Sequence, residues 1–365
     1  MFDSGKTPST VGNDLGEIEF DLEMIADEMA AIPLHKRKFP SQFTVFDVDR
    51  SERAIIANAA RDKDTTERLG KTMLYLAELG FTRPYAQPVD NWANRLQALK
   101  EDFPNFMEVI SAIIEPHTIL AALGHQYRMP PFLLVGPAGV GKTLFARSLQ
   151  QLWQVPLRFV DMASQTNSSA LAGSSIFWAN ASPGQLFETL AWGHAGQAPV
   201  ANPILILDEI DKVQSDRFDP LAALYSLLEE DTAKSFQDQA LPNVSMNASH
   251  VRFVLTANEV CRIPGPILSR LAVFHIKPPS LTQQRQILQR IFEGILTRLK
   301  GVDFCREIPL EVVLMAQSLG PRECKLHLEV AVAHALASGR NALDMTGWLV
   351  YGSSTRLGSV KLGFV

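Results

Sequence analysis

The sequence predicts an α/β protein: a mostly parallel sheet flanked by helices, preceded by a mostly helical N-terminal region and followed by a small helical domain. Three observations predict it. Between Phe132 and Ile276, short apolar runs with β-branched residues alternate with helical segments, the order that builds a parallel sheet covered on both faces. One strand-to-helix junction carries a glycine-rich GxxxxGK[ST] pattern, which requires that context. From Ser280 onward the pattern returns to helix alone.

The elements follow in chain order. Residues 1–13 are rich in Ser, Thr, Gly and Pro without periodicity, which reads as a disordered start. From Asp14 to Ala31, Leu15, Ile18, Leu22, Ile25 and Met29 recur at three- and four-residue spacing, an amphipathic helix. The run His35-Lys36-Arg37-Lys38 is read as a solvated linker rather than a nucleic-acid contact, because it is short. Helices are expected at about Ser51–Arg61 and Thr65–Leu79, a linker at Pro84 and Pro88, and a helical region from Trp92 to Leu123. Strands are expected at Phe132–Val135, Leu157–Asp161, Ile204–Asp208, Val251–Thr256 and Ala272–Ile276. Ile287, Leu288, Ile291, Ile295 and Leu299 then share one helical stripe, and a second apolar helix runs from about Glu323 to Ala337. The resulting division is 1–98, 99–278, 279–340 and a tail, 341–365.

With 365 residues, 46% of them hydrophobic and 20% charged, the chain is long enough for two or three domains and needs no disulfide or metal staple. Its three cysteines, Cys261, Cys305 and Cys324, have no CxxC spacing, which argues against a disulfide framework or structural zinc and fits a reducing compartment. No secretory signal or membrane-spanning run is read from the sequence, so a cytoplasmic location without membrane contact is expected. A net charge of −5 gives no global pull toward nucleic acid.

Gly136, Pro137, Ala138, Gly139, Val140, Gly141, Lys142 and Thr143 satisfy the phosphate-loop pattern directly after an apolar strand. A chance match somewhere in such a chain has a probability on the order of one in a hundred at average residue usage. Glycines let backbone N–H groups converge on phosphate at a helix N-terminus, where the dipole already favours an anion. Lys142 is expected on the β- and γ-phosphates of ATP and Thr143 on Mg²⁺. The same last three letters at Gly5-Lys6-Thr7 lack both the earlier glycine and a strand, and are assigned no function.

The buried-strand run Ile204–Leu207 ends in Asp208 and Glu209, about 65 residues after the phosphate loop. Paired with that loop, the first carboxylate is expected to hold the Mg²⁺ shell and the second to polarise the attacking water. The bland alternative is that the pair caps a helix.

The segments DEIDKVQSDRFDPLAALYSLLEE, FQDQAL and VRFVLTANEVCRIPGPILSRLAVFHI resemble the ATPase module of Lon proteases, a branch of the AAA+ superfamily. The resemblance covers about Phe103 to Ala337. It implies an AAA+ phosphate-loop fold, a helical lid, and a homo-oligomeric ring, usually a hexamer. It further implies Asn258 as the sensor that orients water with Glu209, Arg270 as the arginine finger reaching a neighbouring subunit, and Arg322 as the lid's sensor arginine.

Ala172 to Pro183-Gly184 corresponds to the stretch that carries a substrate-gripping aromatic in that family. Counting back from Pro183-Gly184 places Trp178 there, beside Phe177. The family usually has tyrosine at this place. The alternative is that both aromatics anchor the loop in the core. Only about 25 residues follow the lid, so no peptidase domain of its own is expected, and a separate peptidase is among the partners the resemblance allows. The favoured reading is an Mg²⁺-ATP-dependent motor that unfolds or remodels a protein. The alternatives are a nucleotide-gated assembly switch that works by docking and, less favoured, a nucleic-acid remodeller, since Ala170 to Leu190 contains no lysine or arginine.

Overall fold

The computed structural model describes residues 42–48, 63–178, 180–213, 218–299 and 303–349, all within one compact unit, Lys38–Val365. The predicted disordered start, the helices at 14–31 and 51–61, the basic run and the chain beyond 349 lie outside the described residues.

Strands β1 (Phe43–Thr44) and β2 (Phe46–Val48) are followed by helix α1 (Lys63–Leu79) and strand β3 (Thr82–Arg83), which pairs antiparallel with β1. The linker expected at Pro84 and Pro88 is instead packed. Arg83 is buried, with Nε donating to Leu190 O at 2.9 Å and Nη2 to Ala191 O at 3.1 Å. Ala201 N donates to Pro84 O, and the Asn202 amide pairs with both backbone groups of Ala86. Proline holds this stretch extended, and extended backbone presents its polar groups sideways to an Asn amide.

The helical region expected over 92–123 is split. Helix α2 (Trp92–Asp102) stops at Phe103 (φ −130, ψ 59), because Pro104 disfavours helix in the residue before it. The chain resumes through a one-turn π-helix, Ile110–Ile114, into α3 (Glu115–Ala122). Phe103 and Phe106 pack on Phe145, the Phe106 ring stacked at 4.4 Å, which fastens this break to the helix that follows the phosphate loop.

That helix, α4 (Lys142–Trp153), follows β4 (Phe132–Val135), and β5 (Leu157–Asp161), α5 (Gln185–Trp192) and β6 (Ile204–Asp208) come next. A hairpin of β7 (Phe236–Asp238) and β8 (Leu241–Met246) precedes β9 (Arg252–Ala257) and β10 (Ala272–His275). The five-stranded sheet runs β10-β4-β9-β6-β5, every pair parallel. Expected and observed strand bounds coincide for β4, β5 and β6 and shift by one residue for β9 and β10. The reason is burial: Ile204 to Leu207 are at most 1% exposed, each such side chain contributing roughly 1.5–3 kcal/mol. The sequence reading did not include the three-stranded antiparallel sheet β2-β8-β7.

The C-terminal helices are α6 (Leu281–Arg298), opened by a Ser280/Gln283 capping box, α7 (Leu310–Met315) and α8 (Pro321–Ala337). They enclose their own core of Leu288, Phe292, Val312, Leu328 and Trp348.

At the amino end of β9, away from the phosphate loop, Arg252 is buried, and among the described residues no carboxylate accepts from it. Its Nε donates to His117 Nε2 at 3.0 Å, its Nη1 to Asn202 O at 2.7 Å, and its guanidinium lies 4.6 Å from the Trp153 ring centre. An arginine always donates, so His117 Nε2 must accept, and the ring is neutral with its proton on Nδ1. Burial, then the Arg252 charge, hold the His117 pKa well below its ordinary value, and burial lowers His250 beside it. The folded state therefore binds fewer protons than the unfolded chain. Stability is full above the unfolded histidine pKa of about 6.5 and is lost as pH falls toward the folded one. Urea midpoints should fall between about pH 6.5 and 5, and His117→Gln, which keeps an acceptor, should flatten that slope.

Candidate functional site

In a parallel sheet the carboxyl ends of the strands share one edge, and loops leaving that edge form the crevice where ligands bind. Here β4, β9 and β6 are neighbours, with Val135 paired to Ala257 and Leu207 to Leu255. The residues that follow them, the phosphate loop, Asn258 and the Asp208-Glu209 pair, therefore emerge side by side.

The loop turns on Gly139 (φ +81) and Gly141 (φ +102), left-handed conformations that a side chain would strain. Helix α4 starts at Lys142, so its free N–H groups face the loop's concavity. Lys142 is 7% exposed. Its Nζ donates to Gly136 O (2.7 Å), Pro137 O (3.0 Å) and Asn258 Oδ1 (2.9 Å). Burial lowers its pKa, opposed by the charges of Asp208, Asp211 and Glu209. Thr143 Oγ1 donates to the Asp208 carboxylate at 2.9 and 3.0 Å, and Thr256 Oγ1 donates to Asp208 Oδ1 at 2.5 Å.

Glu209 adopts φ 57, ψ 46, a left-handed conformation that costs a non-glycine residue of order 1 kcal/mol or more and that clusters at functional sites. Its N–H donates to Thr256 Oγ1 at 3.0 Å and its carboxylate pairs with Lys212 at 3.0 Å. Thr256 thus fixes both carboxylate positions, one through the side chain and one through the backbone. Asp211 adds a further carboxylate. It is 5% exposed, its Oδ2 accepts from the N–H groups of Asn258 and Glu259 at 3.1 Å each, and its Oδ1 has no hydrogen-bond partner among the described residues. Neither Thr256 nor Asp211 was singled out from the sequence. The signal was there, in the fourth letter of Asp208-Glu209-Ile210-Asp211 and in the threonine two residues before Asn258.

Arg322 is exposed on the first turn of α8, and among the described residues no hydrogen bond ties it to the loop. Its helix does reach the loop: a Cβ at Gly141 would stand 3.7 Å from Pro321 Cγ, and one at Gly320 would stand 2.9 Å from Gly139 O. Beside this contact a cavity of about 300 Å³ is lined by Gly139, Val140 and Leu144 on one wall and by Gln284, Ile287 and Pro321 on the other. Arg270 stands apart from this group. Its guanidinium donates to Glu229 at 3.0 Å and to Pro266 O at 2.6 Å. Phe177 and Trp178 are 62% and 52% exposed, so they do not anchor their loop in the core. Trp178 meets Phe218 edge to face at 6.4 Å.

The family model described as "ATPase family associated with various cellular activities (AAA)" matches residues 132–278. A Lon protease of Phenylobacterium zucineum is 29% identical over 248 residues, 67% of this chain and 30% of that protein. The peroxisomal Lon protease homolog 2 of Arabidopsis thaliana is 33% identical over 192 residues, 52% of this chain and 21% of that protein. The chain carries a Lon-like AAA module. The matches span about a third or less of those relatives' length. Among solved structures, a closed-state reconstruction of Hsp104 with ATPyS and FITC casein superposes with a TM-score of 0.53 at 16% identity. It covers 68% of this chain and 48% of that one, and it supports the fold of the AAA module. No described helix is long and apolar enough to cross a membrane.

Proposed function

We propose that the AAA module binds Mg²⁺-ATP, hydrolyses it, and acts as a ring of identical subunits, six by the family resemblance, that pulls on a polypeptide. The observation that carries the hydrolytic reading is the cluster in which Thr143 and Thr256 meet Asp208 while Lys142 meets Asn258. Thr143 and Asp208 offer hard oxygen donors suited to Mg²⁺. The ion, when bound, would neutralise phosphate charge. The N–H groups at the start of α4 and the Lys142 ammonium bind the β- and γ-phosphates, Lys142 leaving its carbonyl partners for phosphate oxygen. Glu209 takes a proton as water attacks the γ-phosphorus and the bond to the ADP oxygen breaks, with Asn258 orienting that water. Arg270, held by Glu229 and unconnected to its own subunit's phosphate loop, acts on a neighbour's nucleotide. Arg322 enters from the lid, which closes one wall of the cavity. The division into an N-terminal region, an α/β domain over 99–278 and a lid over 279–340 belongs to the same reading.

The motor reading rests on the aromatic pair. Two large apolar side chains exposed at one loop tip, in a stretch free of lysine and arginine, suit a sequence-tolerant grip on extended polypeptide better than a nucleic-acid backbone. Trp178→Ala separates a motor from a docking switch. In a motor, remodelling of an unfolded substrate should fall tenfold or more, about 1.4 kcal/mol of coupling, while ATP hydrolysis without substrate continues. In a switch the partner's response should be unchanged. A melting temperature several degrees lower would instead make Trp178 a structural anchor.

A further inference from the structure

We propose that Asp238 is the positioning residue of the aromatic loop: its carboxylate ties the loop's returning end to the β7–β8 turn while lying against the leaving end at Gly173, and so fixes where Phe177 and Trp178 stand. This rests on the reading of that loop as a polypeptide grip.

The loop leaves at Gly173 and returns at Gly184, and these two ends touch. A Cβ on Gly184 would lie 2.3 Å from Leu171 O and 2.4 Å from Gly173 N, and a Cβ on Gly173 would lie 2.0 Å from Asp238 Oδ1. Such separations are far inside van der Waals contact, so only glycine fits at both ends of the neck. Asp238, fully buried, occupies the space so made. Its Oδ2 accepts from Gly184 N at 2.7 Å, at the start of α5, and its Oδ1 accepts from Ala240 N at 2.9 Å. The rest of the turn adds Gln239 N donating to Ala172 O at 2.6 Å and Ile176 N donating to Gln239 O at 3.1 Å. Ile176 immediately precedes the aromatic pair. Across the neck, Ser174 N donates to Ser182 O at 3.0 Å and Ser182 N to Ser174 Oγ at 2.8 Å.

The base of the aromatic loop is therefore held from the hairpin, with one buried acid at its centre, while at the tip Trp178 adds only its edge-to-face contact with Phe218. Removing that acid would leave the Gly184 and Ala240 N–H groups buried without an acceptor and would free the neck to move. Burial pushes the carboxyl up to about 7, against two N–H donors that favour the anion, and the Glu188 charge on α5 adds to the rise. Glu188 is itself paired with Arg158.

The test compares the parent with Asp238→Ala and Asp238→Asn. Acrylamide quenching of Trp178, taken as the difference between each protein and its Trp178→Phe counterpart, needs no substrate. It should rise about twofold in Asp238→Ala and less in Asp238→Asn, which keeps one acceptor. With casein as the polypeptide, the KM for casein-stimulated ATP hydrolysis should rise fivefold or more in Asp238→Ala while the KM for ATP stays put. The parent's stimulated rate should show an inflection near pH 7 that Asp238→Asn lacks. If Asp238→Ala does not fold, Asp238→Asn carries the same comparison. Unchanged Trp178 quenching in a folded variant would overturn the proposal. So would a rise in both KM values together with a lower melting temperature, which marks a general structural role. Altered quenching with no stimulation by casein even in the parent would support Asp238 as the positioning residue and sink the polypeptide reading alone.

Discussion

Lys142→Ala is expected to abolish nucleotide binding, and Glu209→Gln to retain it while losing turnover. The two side chains sit in one crevice and do different work. Lys142 is buried among the carbonyls of its own loop and next to Asn258, so its truncation empties the phosphate cradle of its cation and leaves those carbonyls facing one another. Removing one preorganised donor of this kind costs a factor of roughly 10²–10³ in transition-state stabilisation. Glu209 is held in its left-handed conformation by Thr256, and its side chain is 38% exposed beside Lys212. The amide that Glu209→Gln introduces preserves shape and removes the base, a loss of roughly 10²–10⁴ in rate. Nucleotide titration and phosphate release, measured on both variants, check the assignment. Normal steady-state hydrolysis by Glu209→Gln would remove Glu209 from the mechanism.

Arg270→Ala should lower ATP turnover by about 10³ or more, the range measured when an arginine finger is supplied or withheld, with little change in the affinity of an isolated subunit. Within the chain, Arg270 pairs with Glu229 and not with the phosphate loop, so its loss disturbs nothing at the subunit's own site. Specific activity of the parent should rise with protein concentration, because a lone subunit lacks one group. Mixing Arg270→Ala with Lys142→Ala subunits should restore part of the activity, each contributing at the shared interface what the other lacks. A diluted monomer that hydrolyses ATP at full rate, with Arg270→Ala harmless, would refute the ring.

What the sequence made legible was what is local or fully buried. β4, β5 and β6 announce themselves as unbroken apolar runs, and the phosphate loop brings its eight residues together by chain connectivity alone. The juxtaposition of Asn258 with Lys142 was accessible only through family resemblance, since 116 residues separate them. Asp211 and Thr256 went unread because their contribution is to hold neighbours: each acts through backbone or side-chain bonds to residues that carry a stronger motif. Arg83 and Arg252 were illegible for the opposite reason. An arginine is ordinarily solvated, and nothing in the letters around these two says that carbonyls, an imidazole or an indole await them. The hairpin was hidden by Pro242, which demotes a strand in any pattern reading, and β1 and β3 by having two residues each. The exposure of Phe177 and Trp178 removes the core-anchor alternative, and the substrate-gripping reading stays a proposal that the Trp178→Ala comparison tests.

The contact of Gly320 with Gly139 makes α8 a lever. Its amino end rests backbone to backbone on the phosphate loop, with no side chain between to absorb a displacement. The helix has 17 residues and so extends about 25 Å. A tilt of roughly 10° about that fulcrum would carry its far end some 4 Å at the helical rise of about 1.5 Å per residue. Trp348 and Leu328 lie buried in the core that α8 shares with α6 and α7, so they would travel with it. Under the proposed function, a shift of the loop with nucleotide would pass directly into α8 and the core that it shares with α6 and α7.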